Sequence, residues 1–133
     1  PQSEETFQRS KLDLSQRFRE PNSRLFAFYQ RLIALRKSEP DLHPTGESAQ
    51  IMRHDQEACL TLQRGDKLWI VRSFNPKAVS LPISLSGGKW ERLLDSREKQ
   101  FGGSEEGLLP ARLEEKRALK LSPYQIALFR RTE

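Results

Sequence analysis

Carboxylates are the most numerous groups in this sequence that could do chemistry, and cleavage of a sugar bond needs only a pair of them about 5 to 10 Å apart. Asp55, Asp66 and Asp95 are the aspartates worth weighing, but each stands beside turn residues. An aspartate in a turn commonly accepts a hydrogen bond from the backbone two residues further on. We therefore predict structural roles for all three, and the sequence offers no catalytic residue.

The thiol and the imidazoles give no clearer sign of a reactive centre. Cys59 is the single cysteine, and it stands in the strand-like stretch EACLTLQ. His43 falls in a Pro-rich connector and His54 at a strand end, so their spacing matches no metal or nucleophile motif. Nucleotide-binding and metalloprotease motifs are also missing from the sequence. These observations predict a buried thiol, no metal ligands and no cofactor.

Aromatic rings remain as candidates for binding, because an exposed Trp or Tyr face suits the apolar side of a sugar ring. Trp69 lies in the apolar run LWIV and is predicted to be in the core. Trp90 follows the turn SGGK, and Tyr124 opens the last predicted strand. We take Trp90 and Tyr124 as a candidate sugar-binding platform, with core or rim packing as the alternative for each.

The charge pattern bears on the kind of partner. The net charge is +5, but the 23 basic residues are interleaved with 18 acidic ones. Mixed signs of this kind are typical of a solvated surface, and they favour it over the alternative of a nucleic-acid-binding module. No apolar run approaches the roughly 18 residues of a membrane span. We expect a soluble protein of a reducing cytoplasm that binds neither nucleic acid nor membrane.

One helix is predicted over residues 22–38, where apolar residues recur with helical spacing. Asn22 or Ser23 is expected to cap its first turn, and Pro40 to end it. Residues 1–21 carry only scattered apolar residues and are expected to be an extended or loop segment that lies on another surface. The apolar arc of the helix covers close to half its circumference, which is more than a surface helix needs, and comprises Leu25, Phe26, Phe28, Tyr29, Leu32, Ile33 and Leu35.

Residues 39–48 are predicted to be a linker. Beyond them the spacing of apolar residues changes from helical to alternating, as in β-strands. The pattern predicts an antiparallel β-sandwich of Greek-key type with seven or eight strands. Gly65 and Asp66 favour a hairpin turn, Pro82 favours an edge strand or a bulge, and LWIV favours a central strand. The predicted strands are 49–54, 57–63, 67–74, 78–85, 89–95, 108–113, 116–121 and 124–131.

Two stretches resemble known sequences when they are taken together. The first is F-x-x-S-K-L-D, which begins at Phe7 and contains Lys11 and Asp13, followed by a helix that ends in LIALR. The second comprises LLDS, FGG and the closing stretch LSPYQIALFR. Their order and spacing resemble the end of the catalytic barrel and the C-terminal domain of α-amylase-family glycoside hydrolases, in particular the trehalohydrolases, which release trehalose from maltooligosyl-trehalose.

The resemblance implies a division of the chain and a missing partner. Residues 1–38 would form the end of a (β/α)8 catalytic barrel, with the predicted helix as its last helix. Residues 39–48 would be a linker. Residues 49–133 would form a non-catalytic C-terminal β-sandwich that braces the barrel. The family's catalytic carboxylates lie upstream, so none is carried over to this chain. The apolar helix face would meet the missing barrel or a second copy of the chain.

The same resemblance places Lys11 and Asp13 on the loop that enters the last helix, on the active-site face. They would lie near the substrate or, alternatively, hold the loop in place. A maltooligosaccharide-binding module and the tail of a glucan-branching enzyme are the alternative functions.

Overall fold

The computed structural model describes residues 3–43, 49–85, 87–113 and 116–132, which form three layers. A six-stranded sheet is the middle layer, a two-stranded sheet covers its inner face, and a long helix covers its outer face. The predicted mainly-β fold with a preceding helix is confirmed. The predicted linker residues 44–48 lie outside the described residues, as does Ser86 of the turn predicted from SGGK.

The helices and strands of the described residues are as follows. The α-helices are α1 (Glu4–Ser10) and α2 (Asn22–Ser38), and short 3-10 helices cover Leu14–Phe18, Pro40–Leu42 and Lys99–Phe101. The strands are β1 (Gln50–His54), β2 (Cys59–Arg64), β3 (Leu68–Ser73), β4 (Val79–Ser84), β5 (Lys89–Asp95), β6 (Arg112–Leu113), β7 (Lys116–Leu121) and β8 (Ile126–Thr132).

The chain crosses between the two sheets, as a Greek-key sandwich requires. The larger sheet has the order β1-β2-β3-β8-β5-β6, and the smaller sheet pairs β4 with β7; every pair is antiparallel. The last strand, β8, therefore lies between β3 and β5, and β3 is central as its apolar sequence predicts. Pro82 lies in β4, which pairs with β7 alone among the described strands, so the edge-strand prediction is confirmed.

Both faces of β3 and β8 are apolar, and they contribute to two separate cores. On the inner face, Trp69, Val71 and Phe129 join the cluster that the smaller sheet completes. On the outer face, Leu68 and Leu128 join a second cluster with α2. Successive side chains of a strand point to opposite faces, so a run such as LWIV supplies both cores at once.

Helix α2 packs on the outer face through one side of its apolar arc. Leu35 is buried, with 2% of its surface exposed, and Phe28 and Leu32 pack against the same cluster. The Phe28 ring meets the Phe101 ring edge to face, with centroids 5.2 Å apart. The Arg31 guanidinium donates a hydrogen bond of 3.0 Å to the Leu93 carbonyl. Apolar burial and this polar contact together fix the helix on the sheet.

The predicted extended segment over residues 1–21 is wrong, because part of it is helical. Ser3 caps α1, since its side-chain oxygen accepts a hydrogen bond from the Thr6 backbone N–H. Glu4 and Glu5 then occupy the first turn, where carboxylates are favoured by the helix dipole. These signals are present in the sequence, but α1 buries no side chain and so lacks the apolar periodicity on which the prediction relied.

The predicted cap of α2 by Asn22 or Ser23 is also wrong. Pro21 occupies the N-cap position and makes no side-chain hydrogen bond. The backbone N–H of Ser23 bonds instead to the Arg19 carbonyl at 2.9 Å, and that of Arg24 to the Pro21 carbonyl at 3.2 Å. The preceding turn thus satisfies the donors that a cap would serve.

The segment directly after α2 packs against the rest of the chain. Residues 40–42 form a 3-10 turn, and Leu42 packs against the outer core. Glu39 is buried, and its Oε1 lies 3.2 Å from Nη1 of Arg130. The predicted strand over 108–113 is shorter than expected, because only Arg112 and Leu113 pair with β5.

A buried carboxylate holds the end of β5. Asp95 is fully buried, and its oxygens accept hydrogen bonds of 2.9 Å from the backbone N–H groups of Arg97 and Leu109. The Gln125 side-chain amide donates to both oxygens at 2.8 Å and to the Gly107 carbonyl at 3.1 Å. Asp95 therefore joins three separate stretches of chain, which confirms a structural role for it.

We predict that Leu35→Ala lowers the free energy of unfolding by about 3 kcal/mol, because it opens a cavity between α2 and the sheet. Ile33→Ala is the matched control on the same helix: Ile33 is 54% exposed, and its truncation should cost less than about 0.5 kcal/mol. Urea unfolding of both variants gives the comparison. Equal losses would contradict the packing of α2 described above.

We predict that Asp95→Asn lowers the free energy of unfolding by about 2 kcal/mol, since an amide NH2 would then face N–H donors in a buried site. Asp66→Asn, in the exposed hairpin turn, is the control and should change stability by less than about 0.5 kcal/mol. Chemical unfolding of the two variants tests this. An Asp95→Asn variant as stable as the parent chain would show that the network contributes little.

Candidate functional site

Lys11 and Asp13 are both exposed, and their contacts in the structure are local. The Lys11 ammonium lies over the Phe7 ring, 4.8 Å from its centroid. Asp13 caps the first 3-10 helix and accepts a hydrogen bond of 3.0 Å from the Ser15 backbone N–H. Hydrogen bonding from Ser15, its side chain first and its backbone second, lowers the pKa of the Asp13 carboxyl. Proximity of these residues to a substrate stays a prediction.

The predicted sugar platform of Trp90 and Tyr124 is not formed. Trp90 lies in β5 and is completely buried in the inner core, so its ring has no face to offer a ligand. Tyr124 is 61% exposed, in the turn before β8. The turn SGGK suggested exposure, but alternation along β5 directs Trp90 inward, opposite Leu113 of β6. Trp69 is in the core as predicted.

The polar groups weighed for catalysis have structural partners instead. Asp55 pairs with the Arg53 guanidinium at 2.8 Å, and Asp95 is buried in its network. Cys59 is buried, and burial raises the pKa of its thiol, which disfavours the thiolate that a nucleophile requires. In the part of the chain that the structure describes, no three His, Cys, Asp or Glu side chains are grouped as a metal site would need.

A strip of exposed apolar side chains on α2 is the surface with the clearest functional meaning. Leu25, Tyr29 and Ile33 are each more than half exposed, and their spacing of four residues places them along one side of the helix. We call these three residues the α2 strip. It adjoins the packed side of α2, so the wide apolar arc predicted from the sequence has one half covered by the sheet and one half in solvent.

The exposed apolar surface continues into the segment before α2. Seven of the eleven exposed large apolar side chains in the described ranges belong to residues 3–38. Besides the α2 strip, they are Phe7, Leu12, Leu14 and Phe18. Phe18 stacks edge to face on Phe26 of α2, with centroids 6.5 Å apart. Sequence reasoning identified these residues as anchors for another surface, and the structure leaves them uncovered.

Two structurally important residues were missed at the sequence level. Gln125 holds Asp95 across 30 positions of sequence, and no local pattern signals such a pairing. Glu39 was read only as the end of the helix, yet it is buried beside Arg130. The roles of both residues depend on neighbours that are distant in sequence.

Neither described helix has the length and apolarity needed to cross a membrane.

Comparison with curated proteins finds four similar sequences, all malto-oligosyltrehalose trehalohydrolases. The enzyme from Brevibacterium helvolum is 34% identical over 107 residues, which cover 80% of this chain and 16% of that enzyme. The enzyme from Rhizobium sp. strain M-11 is 37% identical over 82 residues, or 61% of this chain and 14% of that enzyme. The chain thus spans about one sixth of the length of its relatives. No family model matches it.

Comparison with solved structures finds the same fold in larger enzymes. Trehalulose synthase from Pseudomonas mesoacidophila MX-45 superposes with a TM-score of 0.56 and 19% identity, over 81% of this chain and 18% of that one. An isomaltulose synthase variant from Erwinia rhapontici NX5 gives a TM-score of 0.58 and 18% identity, over 82% and 18% of the two chains. At this identity the likeness concerns the fold. The chain corresponds in sequence and fold to the C-terminal region of α-amylase-family glycoside hydrolases, and the curated relatives it resembles are malto-oligosyltrehalose trehalohydrolases.

Proposed function

We propose that this chain is a non-catalytic region that braces the catalytic barrel of an α-glucan-processing hydrolase. The parent enzyme would be a trehalohydrolase, which releases trehalose from maltooligosyl-trehalose, as the names of the curated relatives suggest. It would act in the bacterial cytoplasm in trehalose synthesis, and its single buried thiol suits a reducing compartment. The observation that carries the proposal is that α2 packs on the sheet with one apolar side and exposes a second.

One side of α2 is covered by the sheet, and the other side is apolar and exposed. An exposed apolar surface of this kind is typical of an interaction site, because its exposure to water is unfavourable unless a partner covers it. The α2 strip is continuous along about two helical turns, from Leu25 to Ile33. A helix that is apolar on adjoining sides can join two bodies rigidly, with the sandwich as one and a barrel as the other.

The aspartates support the non-catalytic part of the proposal. A general acid or nucleophile needs a carboxylate that can reach a bound substrate. Asp95 has both oxygens engaged and no exposed surface, and Asp55 pairs with a neighbouring arginine. Asp66 lies at the exposed tip of a hairpin. These carboxylates therefore suit structural roles better than catalytic ones.

We predict that the 133-residue chain does not hydrolyse maltooligosyl-trehalose, because in the proposed parent enzyme the catalytic carboxylates would lie upstream of it. Trehalose release is measured after long incubation, with the intact Brevibacterium helvolum enzyme as the positive control under identical conditions. Turnover approaching about 1 s⁻¹, within the usual range of enzymes, would contradict the non-catalytic role.

We predict that the chain self-associates as its concentration rises, since two α2 strips can cover each other when no barrel is present. Tyr29→Glu combined with Ile33→Glu should keep the chain monomeric, because a carboxylate on the strip opposes its burial. Ala34→Glu, at an exposed position elsewhere on α2, is the control and should associate like the parent chain. Sedimentation velocity over a concentration series measures this. The role of the α2 strip as a docking surface would be contradicted if the unsubstituted chain stayed monomeric, or if Ala34→Glu reduced association as much as the double variant does.

A further inference from the structure

A groove opens on the inner face of the larger sheet, where the smaller sheet does not cover it. It lies between β1 and β2 on one side and β4 on the other, and it encloses about 590 Å³, within the usual size range of ligand pockets. Strand pairing brings its residues into register: Gln50 faces Gln63, which in turn faces Trp69. The groove is therefore built on strands of the sheet and not on loops.

The lining of the groove combines apolar and polar side chains. In a chain of which 31% of the residues are charged, the described residues that line it include no Asp, Glu, Lys or Arg. Hydrogen-bonding groups on the inner face come from two glutamine amides, the Thr61 hydroxyl and the His54 imidazole. His54 Nε2 lies 3.1 Å from Thr61 Oγ1. The lining residues are Gln50, Ile51, Met52, His54, Thr61, Gln63, Trp69, Pro82, Ile83, Ser84 and Leu85.

The inner face of the sheet changes character towards β1. At β3 and β8, inward-facing residues such as Val71 and Phe129 are apolar and fully buried under the smaller sheet. The residues that continue the same rows at β1 and β2 are largely polar, as Gln50 and Gln63 are. A surface meant only to be covered would continue the apolar pattern. A concave surface that adds a few polar groups beside apolar side chains is instead typical of a ligand pocket.

We propose that this groove binds a neutral, polyhydroxylated ligand, specifically a short oligosaccharide. Amides, a hydroxyl and an imidazole together provide donors and acceptors of hydrogen bonds, which matches the dual character of sugar hydroxyls. The exposed side chain of Met52 supplies apolar surface that suits the C–H face of a sugar ring, while Trp69, Ile83 and Leu85 are buried beneath the groove. A phosphorylated or otherwise anionic ligand would call for Lys or Arg side chains. The inference does not rest on the bracing role.

The test is a titration of the ¹⁵N-labelled 133-residue chain with maltotriose and, separately, with cellotriose, followed by NMR. We expect saturable shifts of the amides of β1, β2 and β4 with at least one of the two sugars. Glucose 6-phosphate is the charged comparator and should bind at least tenfold more weakly than the better sugar. No saturable shifts with either trisaccharide, or shifts centred elsewhere on the sandwich, would overturn the proposal, as would equal or tighter binding of glucose 6-phosphate.

Paired variants assign the site to its side chains. Thr61→Val with Gln63→Leu keeps the shape of both residues but removes their hydrogen-bonding groups, and it should weaken binding at least tenfold. Gln16→Leu, at an exposed position outside the groove, should bind like the parent chain. Circular dichroism establishes that each variant is folded. If the double variant does not fold, the location of the amide shifts in the unsubstituted chain shows whether the sugar binds in the groove. A folded double variant with unchanged affinity would overturn the assignment.

Discussion

The central sheet is apolar on both faces, and the rest of the structure depends on this constraint. Strands β3 and β8 contribute Val71 and Phe129 to one core and Leu68 and Leu128 to the other. Exposure of either face would be unfavourable by about 25 cal/mol per Å² of apolar surface, so the sheet needs cover on both sides. The smaller sheet covers one side and α2 the other. The helix is thus a structural layer of the sandwich, although it precedes every strand in the sequence.

The stretches that resemble trehalohydrolases build the surface on which α2 lies. Within LLDS, Leu94 joins the outer core and Asp95 fixes the turn that follows β5. Within FGG, the Phe101 ring meets α2, and Gly102 adopts a left-handed φ of +89° that other residues disfavour. A Cβ on Gly103 would collide with the Arg97 backbone carbonyl. The packing of α2 and the turns beside it explain why these residue types occur in LLDS and FGG. No contact with a substrate is needed to explain them.

The sequence predicts those parts of the fold that follow from local periodicity. Alternation locates the strands, and helical spacing locates α2 within a residue at either end. It fails where a neighbour distant in sequence decides the outcome, as where Gln125 reaches Asp95. At Trp90 the preceding turn suggested exposure, although alternation along β5 directs the side chain inward. It also fails at α1, whose stability comes from capping rather than from apolar burial. The groove was beyond sequence reasoning, because it exists only where two sheets of unequal width meet.

The unequal width of the sheets also separates the two proposed surfaces. The α2 strip lies on the helix that covers the outer face of the larger sheet, whereas the groove opens on its inner face beside β4. A barrel that covers the strip would therefore meet the opposite side of the sheet from the groove. The two surfaces also differ in chemistry, because the strip is apolar whereas the groove adds amide, hydroxyl and imidazole groups, so each can act without the other. A bracing region of this form can carry a ligand site of its own.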